Sequence, residues 1–509
     1  MASLFLTKPV ERLIAETQER RCSLRRVLGP VDLIALGIGA TIGAGIFATI
    51  GTAAAGDAVR QGAGPALILS FILTAIVCAF TGLCYAELAS LVPVSGSAYT
   101  FTYATLGELI AWIIGWDLIL EYAIGNVAVA ISWANYFNTL LSGFGLNLPT
   151  WLTVDYRTAA QKMPDVIAGA PHVFGVPIVF NLLAIGIVAV LSVLLVWGVR
   201  ESARATAVMV IIKLLVLGLF CFVGIRFIKP ENWQPFAPNG FGGIAAAAAI
   251  IFFAYIGFDA VSTCAEETRR PGRDLPIGIL GSLVVSTLIY VVVAVVFTGL
   301  VPFPVLQSLN ASEQAEPLTV ALRHVGRSDT IIGLVAFGSV VAHTAVLLVF
   351  QLGQARIFMA MARDGLLPAS LARVHPRFRT PHVATILTGI GVGVLAGVSN
   401  IDEMVDLTNI GTLSAFLLVC IGVSILRFKA PDRPRPFRVP FGPILIPTLG
   451  ALSCVGMICY LPPTSWVRFA VWLIVGLVVY ALYGYRHSRL RESLSSKPAP
   501  CPEGPAAVE

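Results

Sequence analysis

The sequence predicts an all-α integral membrane protein with twelve transmembrane helices. Three observations carry that prediction. Of 509 residues 57% are apolar and only 12% are charged, about half the charged share of a soluble domain. Apolar stretches of 20–30 residues recur along nearly the whole chain, and about 20 such residues cross a hydrocarbon core as a helix. Lys and Arg gather on alternate connectors, the bias that sets membrane orientation. A soluble enzyme, a nucleic-acid-binding module and a secreted disulfide scaffold are excluded by the same composition.

Taken in order, residues 1–29 predict a cytoplasmic N-terminal segment, amphipathic from Val10 to Leu28 and ending in Arg20, Arg21, Arg25 and Arg26. It is polar, holds Glu11, Glu16 and Glu19, and lacks the apolar stretch and cleavage site of a signal peptide. Breaks at charge, Pro and Gly clusters then place the spans near 31–55, 65–92, 106–141, 175–198, 205–226, 241–263, 276–301, 330–354, 383–399, 404–426, 443–461 and 466–485. The third is overlong, which implies tilt or projection beyond the bilayer. The connector 142–174, with Trp151 and Asp155, is an outer loop or a lid, and 487–509 is a cytoplasmic tail.

With the N-terminus inside, 25 Lys and Arg face the cytoplasm and 8 the exterior, while Lys213 lies within a span. Both termini are therefore expected in the cytoplasm. The loop Pro93–Thr105 carries no positive charge and stands outside that rule. The formal charge of +6 resides in short connectors and at the two ends, as suits an anionic leaflet. The nine cysteines show no CxxC or Cys/His spacing, so neither a metal site nor a disulfide framework is expected.

Two spans are built unlike ordinary helices. Span one reads GIGATIGAGIF from Gly37 to Phe47, with four glycines in nine residues, each costing a helix about 1 kcal/mol relative to alanine. Close helix packing through small residues is one reading; local unwinding suits the alternating spacing better. Irregular backbone at membrane depth persists only where protein or a cavity satisfies it. Span six runs from Ala245–Ala249 into an aromatic cluster, Phe252, Phe253 and Tyr255, then Gly257 and Asp259. Paired interrupted helices in corresponding positions of two halves point to a transporter's binding site. Amides at an unwound half-helix N-terminus attract a carboxylate, and carbonyls at the facing end hold an ammonium. An α-amino acid offers both charges on one carbon.

These motifs, with Cys84–Tyr99 (CYAELASLVPVSGSAY), Gly115–Tyr122 (GWDLILEY), Ile256–Val261 (IGFDAV) running into Glu266 and Glu267, and Met361–Pro368 (MARDGLLP), resemble bacterial permeases of the amino acid–polyamine–organocation superfamily, the cationic amino acid transporter family in particular. The resemblance covers residues 1 to about 485. It implies a leucine-transporter-type fold: a first repeat in 30–226, a second, inverted, in 240–427, and two further helices in 442–486. It implies backbone recognition of an L-amino acid by the broken segments Thr41, Ile42, Gly43, Ala44 and Gly45, and Phe253, Ala254, Ile256 and Gly257. The α-carboxyl would meet the amides of Ala44 and Gly45; the amino group would meet the carbonyls of Thr41, Phe253, Ala254 and Ile256, with Phe253 as a gate. Where relatives often carry a hydroxyl, this chain has Ala44.

Lys213 interrupts the run Val208–Leu217 and is too deep to reach water, so it requires a partner. Burial eases loss of its proton, and the resemblance places it where relatives bind sodium. Proton coupling through Lys213 is the reading, against a permanently charged pin on span one. Glu121 in span three suits charge selectivity or tuning of the proton site, with a neutral packing role as the alternative. His343 is either a proton-exchanging group or a hydrogen-bonded core residue. Glu87 and Asp259 are expected to pair with arginines of nearby loops, and Glu266, Glu267, Arg269 and Arg270 to form a cytoplasmic cluster with Arg363 and Asp364.

The sequence carries no phosphate-binding loop with Lys-Ser/Thr, no HExxH and no nucleophile–base pair, so an enzyme and an ATP-driven pump are excluded and no cofactor is expected beyond the coupling proton. Amino acid symport is the expectation, with small neutral or cationic substrates. An amino acid or polyamine exchanger on the same fold and a membrane amino acid sensor are the alternatives. The partners expected are the substrate and the bilayer; the oligomeric state is not legible.

Overall fold

The computed structural model describes residues 4–9, 13, 26–94, 96–198, 203–309, 311–378 and 380–495. The expected amphipathic stretch from Val10, apart from its Leu13 and its end at Arg26–Leu28, lies outside those residues, as do Arg200, Arg379 and the tail beyond Ser495.

The bundle is built from α1 (Pro30–Thr41), α2 (Ile50–Ala55), α3 (Leu67–Leu91), α4 (Ser97–Thr105), α5 (Glu108–Ile119), α6 (Gly125–Gly143), α7 (Leu182–Trp197) and α8 (Ala203–Gly224). It continues through α9 (Gly240–Ile251), α10 (Pro271–Leu300), α11 (Asp329–Arg363), α12 (His382–Val398), α13 (Ile401–Lys429), α14 (Leu445–Ile458) and α15 (Pro463–Val479). A two-residue hairpin, His172–Val173 against Val176–Pro177, interrupts the connector before α7.

Among the described residues eight helical segments are long and apolar enough to cross a membrane, and a ninth is the pair Pro30–Thr41 and Gly45–Ala55, bent by 40°. Three more apolar helices, α7, α12 and α14, have 16, 17 and 14 residues, fewer than the typical crossing of about 20. The overlong third span is one structure from Glu108 to Gly143, with a wider π turn at Leu120–Ile124 joining α5 to α6.

Local chemistry sets several ends. Asn181 accepts the Ala184 amide at the start of α7, and Asn400 accepts those of Asp402 and Glu403 at the start of α13, the usual relief of unpaired first-turn donors. Gly198 ends α7 at φ +77°. α10 packs along α3 and α1, α11 along α6, α13 along α14, α7 along α12, and α8 against α11 and α1. Leu288, Val292, Val190 and Val193 face outward, a surface that suits lipid and not water.

Candidate functional site

Helix α1 stops where its glycines stop supporting it. The Ile42 amide still bonds to Ile38 O at 3.0 Å, but Ile42 itself is extended at ψ 99°. Gly43 belongs to no helix, and its amide donates no hydrogen bond among the described residues. The chain re-coils as the π turn Gly45–Thr49 and then α2. Lys213 of α8 serves the freed carbonyls: its Nζ donates to Gly39 O at 2.7 Å and Ile42 O at 2.8 Å, with Ile38 O at 3.5 Å. A buried ammonium on carbonyl dipoles is partnered, as an apolar setting requires.

The second break follows α9. Phe252–Tyr255 tighten into a 3₁₀ turn, Ile256 is extended at ψ 134°, and Gly257 takes φ +116°, a conformation side chains rarely adopt. A 3₁₀ segment, Asp259–Glu267, completes the crossing. Asn409 of α13 donates to the carbonyls of Ala249 and Ile250, at 2.8 and 3.2 Å, where α9 ends.

The two breaks touch. A Cβ on Gly45 would stand 2.1 Å from Ala254 Cα, and one on Gly257 would stand 2.9 Å from the Ala40 carbonyl carbon. Only glycine admits either approach. The Tyr290 hydroxyl, from α10, lies between them, 3.0 Å from Thr41 O and 2.7 Å from Ala254 O. Thr41 donates its own hydroxyl back to Gly37 O at 2.9 Å and meets Ser286 Oγ at 3.0 Å. Thr41, Ile42, Gly43, Ala44, Gly45, Phe253, Ala254, Ile256 and Gly257 are all buried at this junction. Sequence reasoning missed Tyr290, Ser286 and Asn409; of these, the amide side chain of Asn409 in the apolar run of span ten was the available signal.

Glu121 stands elsewhere. It occupies the π turn of span three, beside Asp259 and Thr412, and neither carboxylate oxygen has a hydrogen-bond partner among the described residues. Asp259 receives the Tyr122 hydroxyl at 3.1 Å and lies 3.5 Å from Ser97 Oγ. The arginine expected for Asp259 is thus replaced by a phenol from the span that carries Glu121. Glu87 does pair with arginines, but with Arg427 and Arg435 of α13 and its following connector, and it accepts the Val439 amide at 2.7 Å. His343 is engaged at both ring nitrogens, by Ser132 Oγ at 2.7 Å and Ser339 O at 2.6 Å. It stacks near Phe47 and Tyr136, the setting of a satisfied core residue.

Ion pairs close the two ends. Arg60 bonds to Asp57 at 2.6 Å and to Asp406 at 2.7 Å, tying the loop after α2 to α13. Burial works against the Arg60 charge, yet the two carboxylates outweigh it and hold its pKa above the ordinary value. Below that latch a pocket of about 50 Å³ is lined by Thr49, Thr52, Asn135, Asp155, Gln314 and Asp402, room for a water or two. The connector 142–174 contributes Thr153, Val154, Asp155 and Thr158 to the same lining. At the opposite end Asp364 takes Lys8 at 2.9 Å and the Tyr99 hydroxyl at 2.7 Å, and Glu267 lies 3.7 Å from Arg356. Of the expected cluster, Asp364 thus binds the N-terminal segment, and Glu267 meets Arg356. With its residues all buried, the junction is shut in this conformation.

The sequence profile of the amino acid permease family matches residues 28–481. The chain is similar to a branched-chain amino acid permease of Bacillus subtilis (strain 168), 47% identical over 490 residues, 96% of this chain and 99% of that one. It is similar to the methylthioribose transporter of the same organism, 44% identical over 492 residues, 97% of this chain and all of that one. A vacuolar cationic amino acid transporter of Arabidopsis thaliana is 36% identical over 438 residues, 85% of this chain and 68% of that one.

Proposed function

The chain belongs to the amino acid permease family, and from that premise we propose that it is a secondary transporter carrying L-amino acids across the plasma membrane by alternating access. The observation that carries the reading is the meeting of two interrupted helices at Gly45 and Ala254. In this shut form the Tyr290 hydroxyl lies between the carbonyls of Thr41 and Ala254, where the substrate's ammonium would compete for them. The amides of Ala44 and Gly45, at the start of the re-coiled half-helix, would take its carboxylate. Recognition of the common head by backbone leaves the side-chain pocket free to vary, in keeping with relatives named for different solutes.

The architecture proposed is twelve crossings: two inverted repeats, 30–226 and 240–427, then two helices within 442–486. Parity supports it. Lys8 near one end of the chain and the Arg489 amide near the other both bind Asp364, which supports a start and a finish on one face and an even number of crossings. Among the described residues up to nine long spans are present, an odd number; the three shorter apolar helices would bring the total to twelve. The Lys and Arg bias supports a cytoplasmic position for that shared face and both termini.

Proton coupling through Lys213 is part of the proposal. Its ammonium bridges the carbonyls of Gly39 and Ile42 across the first break, so losing the proton would free the ends of that break to move; the same charge would repel sodium. Phe47, packed beside His343, and Val346, packed on Gly43, favour small neutral or branched aliphatic substrates, while Glu121 leaves a cationic side chain as the second choice.

The test is uptake of radiolabelled leucine, alanine and arginine by the purified protein in proteoliposomes. An imposed inward proton gradient is expected to drive accumulation above equilibrium, and Lys213→Ala to abolish that accumulation while preserving counterflow. Uptake that needs internal substrate and ignores the gradient would make it an exchanger. Saturable binding without counterflow would make it a sensor.

A further inference from the structure

A second feature lies on the membrane-facing flank, away from the breaks. One face of α10 carries Arg270, at its cap, and Arg273, then Ile277, Leu280 and Val284 at helical spacing. Together with Ile34 of α1 and Phe437 of the connector before α14, they line an open groove of about 860 Å³. Gly281 forms part of its floor, where a Cβ would meet Ile34 Cδ1 at 2.8 Å.

The two ends of this groove differ in chemistry. Val284 is 59% exposed on the apolar stretch of α10. Arg270 and Arg273 are exposed at the other end, and their guanidinium groups make no ion pair or hydrogen bond among the described residues. Of the carboxylates close to them in sequence, Asp274 is buried with Oδ2 on the Arg270 amide, and Glu267 lies 3.7 Å from Arg356. From Arg270 to Val284 the helix rises about 21 Å, the depth of one leaflet including its headgroups.

We propose that this groove is a binding site for an anionic phospholipid, its phosphate on Arg270 and Arg273 and one acyl chain along Ile277, Leu280 and Val284. Neutral lipid would fill the apolar length but leave both guanidinium groups unmatched. Basic pockets between spans on the cytoplasmic side recognise such headgroups, and the orientation argued from the Lys and Arg bias puts this one there. The occupant touches both the half-helix α1, through Ile34, and α10, the helix that carries Tyr290. The site does not depend on which solute is carried.

The test uses the purified full-length protein in detergent, titrated with dioleoyl phosphatidylglycerol, dioleoyl phosphatidylcholine or inorganic phosphate, and reads thermal unfolding and lipid retention by native mass spectrometry. Phosphatidylglycerol is expected to raise the midpoint saturably and to be retained, and the other two to do neither. Arg270→Gln with Arg273→Gln should demand about 30-fold more phosphatidylglycerol, from the attraction of two surface arginines for an anionic headgroup. Val284→Trp, at an exposed position inside the groove, should also weaken retention, whereas Val292→Trp, 52% exposed on the same helix and outside it, should not. Equal effects of the two lipids, an equal effect of phosphate alone, or unchanged retention in the arginine double variant would overturn the proposal.

Discussion

At the scale of single residues the site rests on atoms that are absent. Gly45 has no Cβ, and the nearest atom to where one would stand is Ala254 Cα at 2.1 Å, with Ala254 N at 2.7 Å. Those are backbone atoms, so no rotamer change relieves the contact. Gly45→Ala is therefore expected to wedge the breaks apart, destabilising the shut form by about 1–3 kcal/mol as overpacking does. Uptake should fall at least tenfold in proteoliposomes that contain the same amount of folded protein, and Ala254→Gly should not restore it, because Ala254 Cα and N remain. Full activity in the single variant would remove the contact from the mechanism. Gly45 was legible because four glycines within nine apolar residues contradict a helix, and Lys213 because a charge within an apolar run demands a partner. Tyr290 was not: a lone tyrosine in a span is commonplace, and the two carbonyls it reaches belong to segments more than 200 residues apart.

At the scale of elements, breaks were easier to read than lengths. The alternation of glycines in span one and the aromatic–glycine–acid sequence of span six mark both interruptions, because each conflicts with helical propensity inside an otherwise apolar run. Length was less legible: α7 begins at Leu182 where its span is expected from 175, and α14 ends at Ile458 where its span is expected to reach 461, each beside a polar or proline-containing connector. The short helix Pro317–His324, outside the spans, shows what pattern cannot supply. Its cap, Glu316, is buried and accepts the Thr139 hydroxyl at 2.6 and 2.8 Å and that of Thr319 at 3.2 Å. Burial pushes its carboxyl from 4.5 up to about 7, against the opposing pull of Thr139, Arg323 and Thr319. The folded protein thus holds this proton more tightly than the unfolded chain, so the contribution is fully present below about pH 4.5 and is lost as pH rises through about 7. Glu316→Gln should flatten that slope, whose full height is on the order of 3 kcal/mol, in unfolding midpoints taken from pH 4 to pH 8. An identical slope in the variant would assign the pH dependence to another group.

At the scale of the whole molecule, the two chain ends are joined through one face. Lys8 and the Arg489 amide share Asp364, while buried Glu108 at the start of α5 accepts Tyr103, Tyr480, Ser488 and Arg491 from α4 and from the end of the chain. The sequence could say that the ends share a side, through charge bias, but not that they share partners, since pairings between residues about 380 positions apart leave no local pattern. The physics of burial separates these contacts from those of the outer surface. Glu108 is 0% exposed and Arg491 11%, whereas in the outer pair Arg157 and Glu403 are 54% and 25% exposed. Removing one partner of a buried pair strands the other charge and costs about 3–5 kcal/mol, while an exposed pair is worth about 1 kcal/mol or less. Arg491→Met should therefore lower unfolding stability in detergent several-fold more than Arg157→Met. Adding Glu108→Gln to Arg491→Met should recover part of the loss, because no uncompensated carboxylate is then left under the chain end. Equal losses from the two arginine variants, or strict additivity in the double variant, would show that the contact of Glu108 with the end of the chain is a surface decoration and that the bundle's stability lies in its helix packing alone.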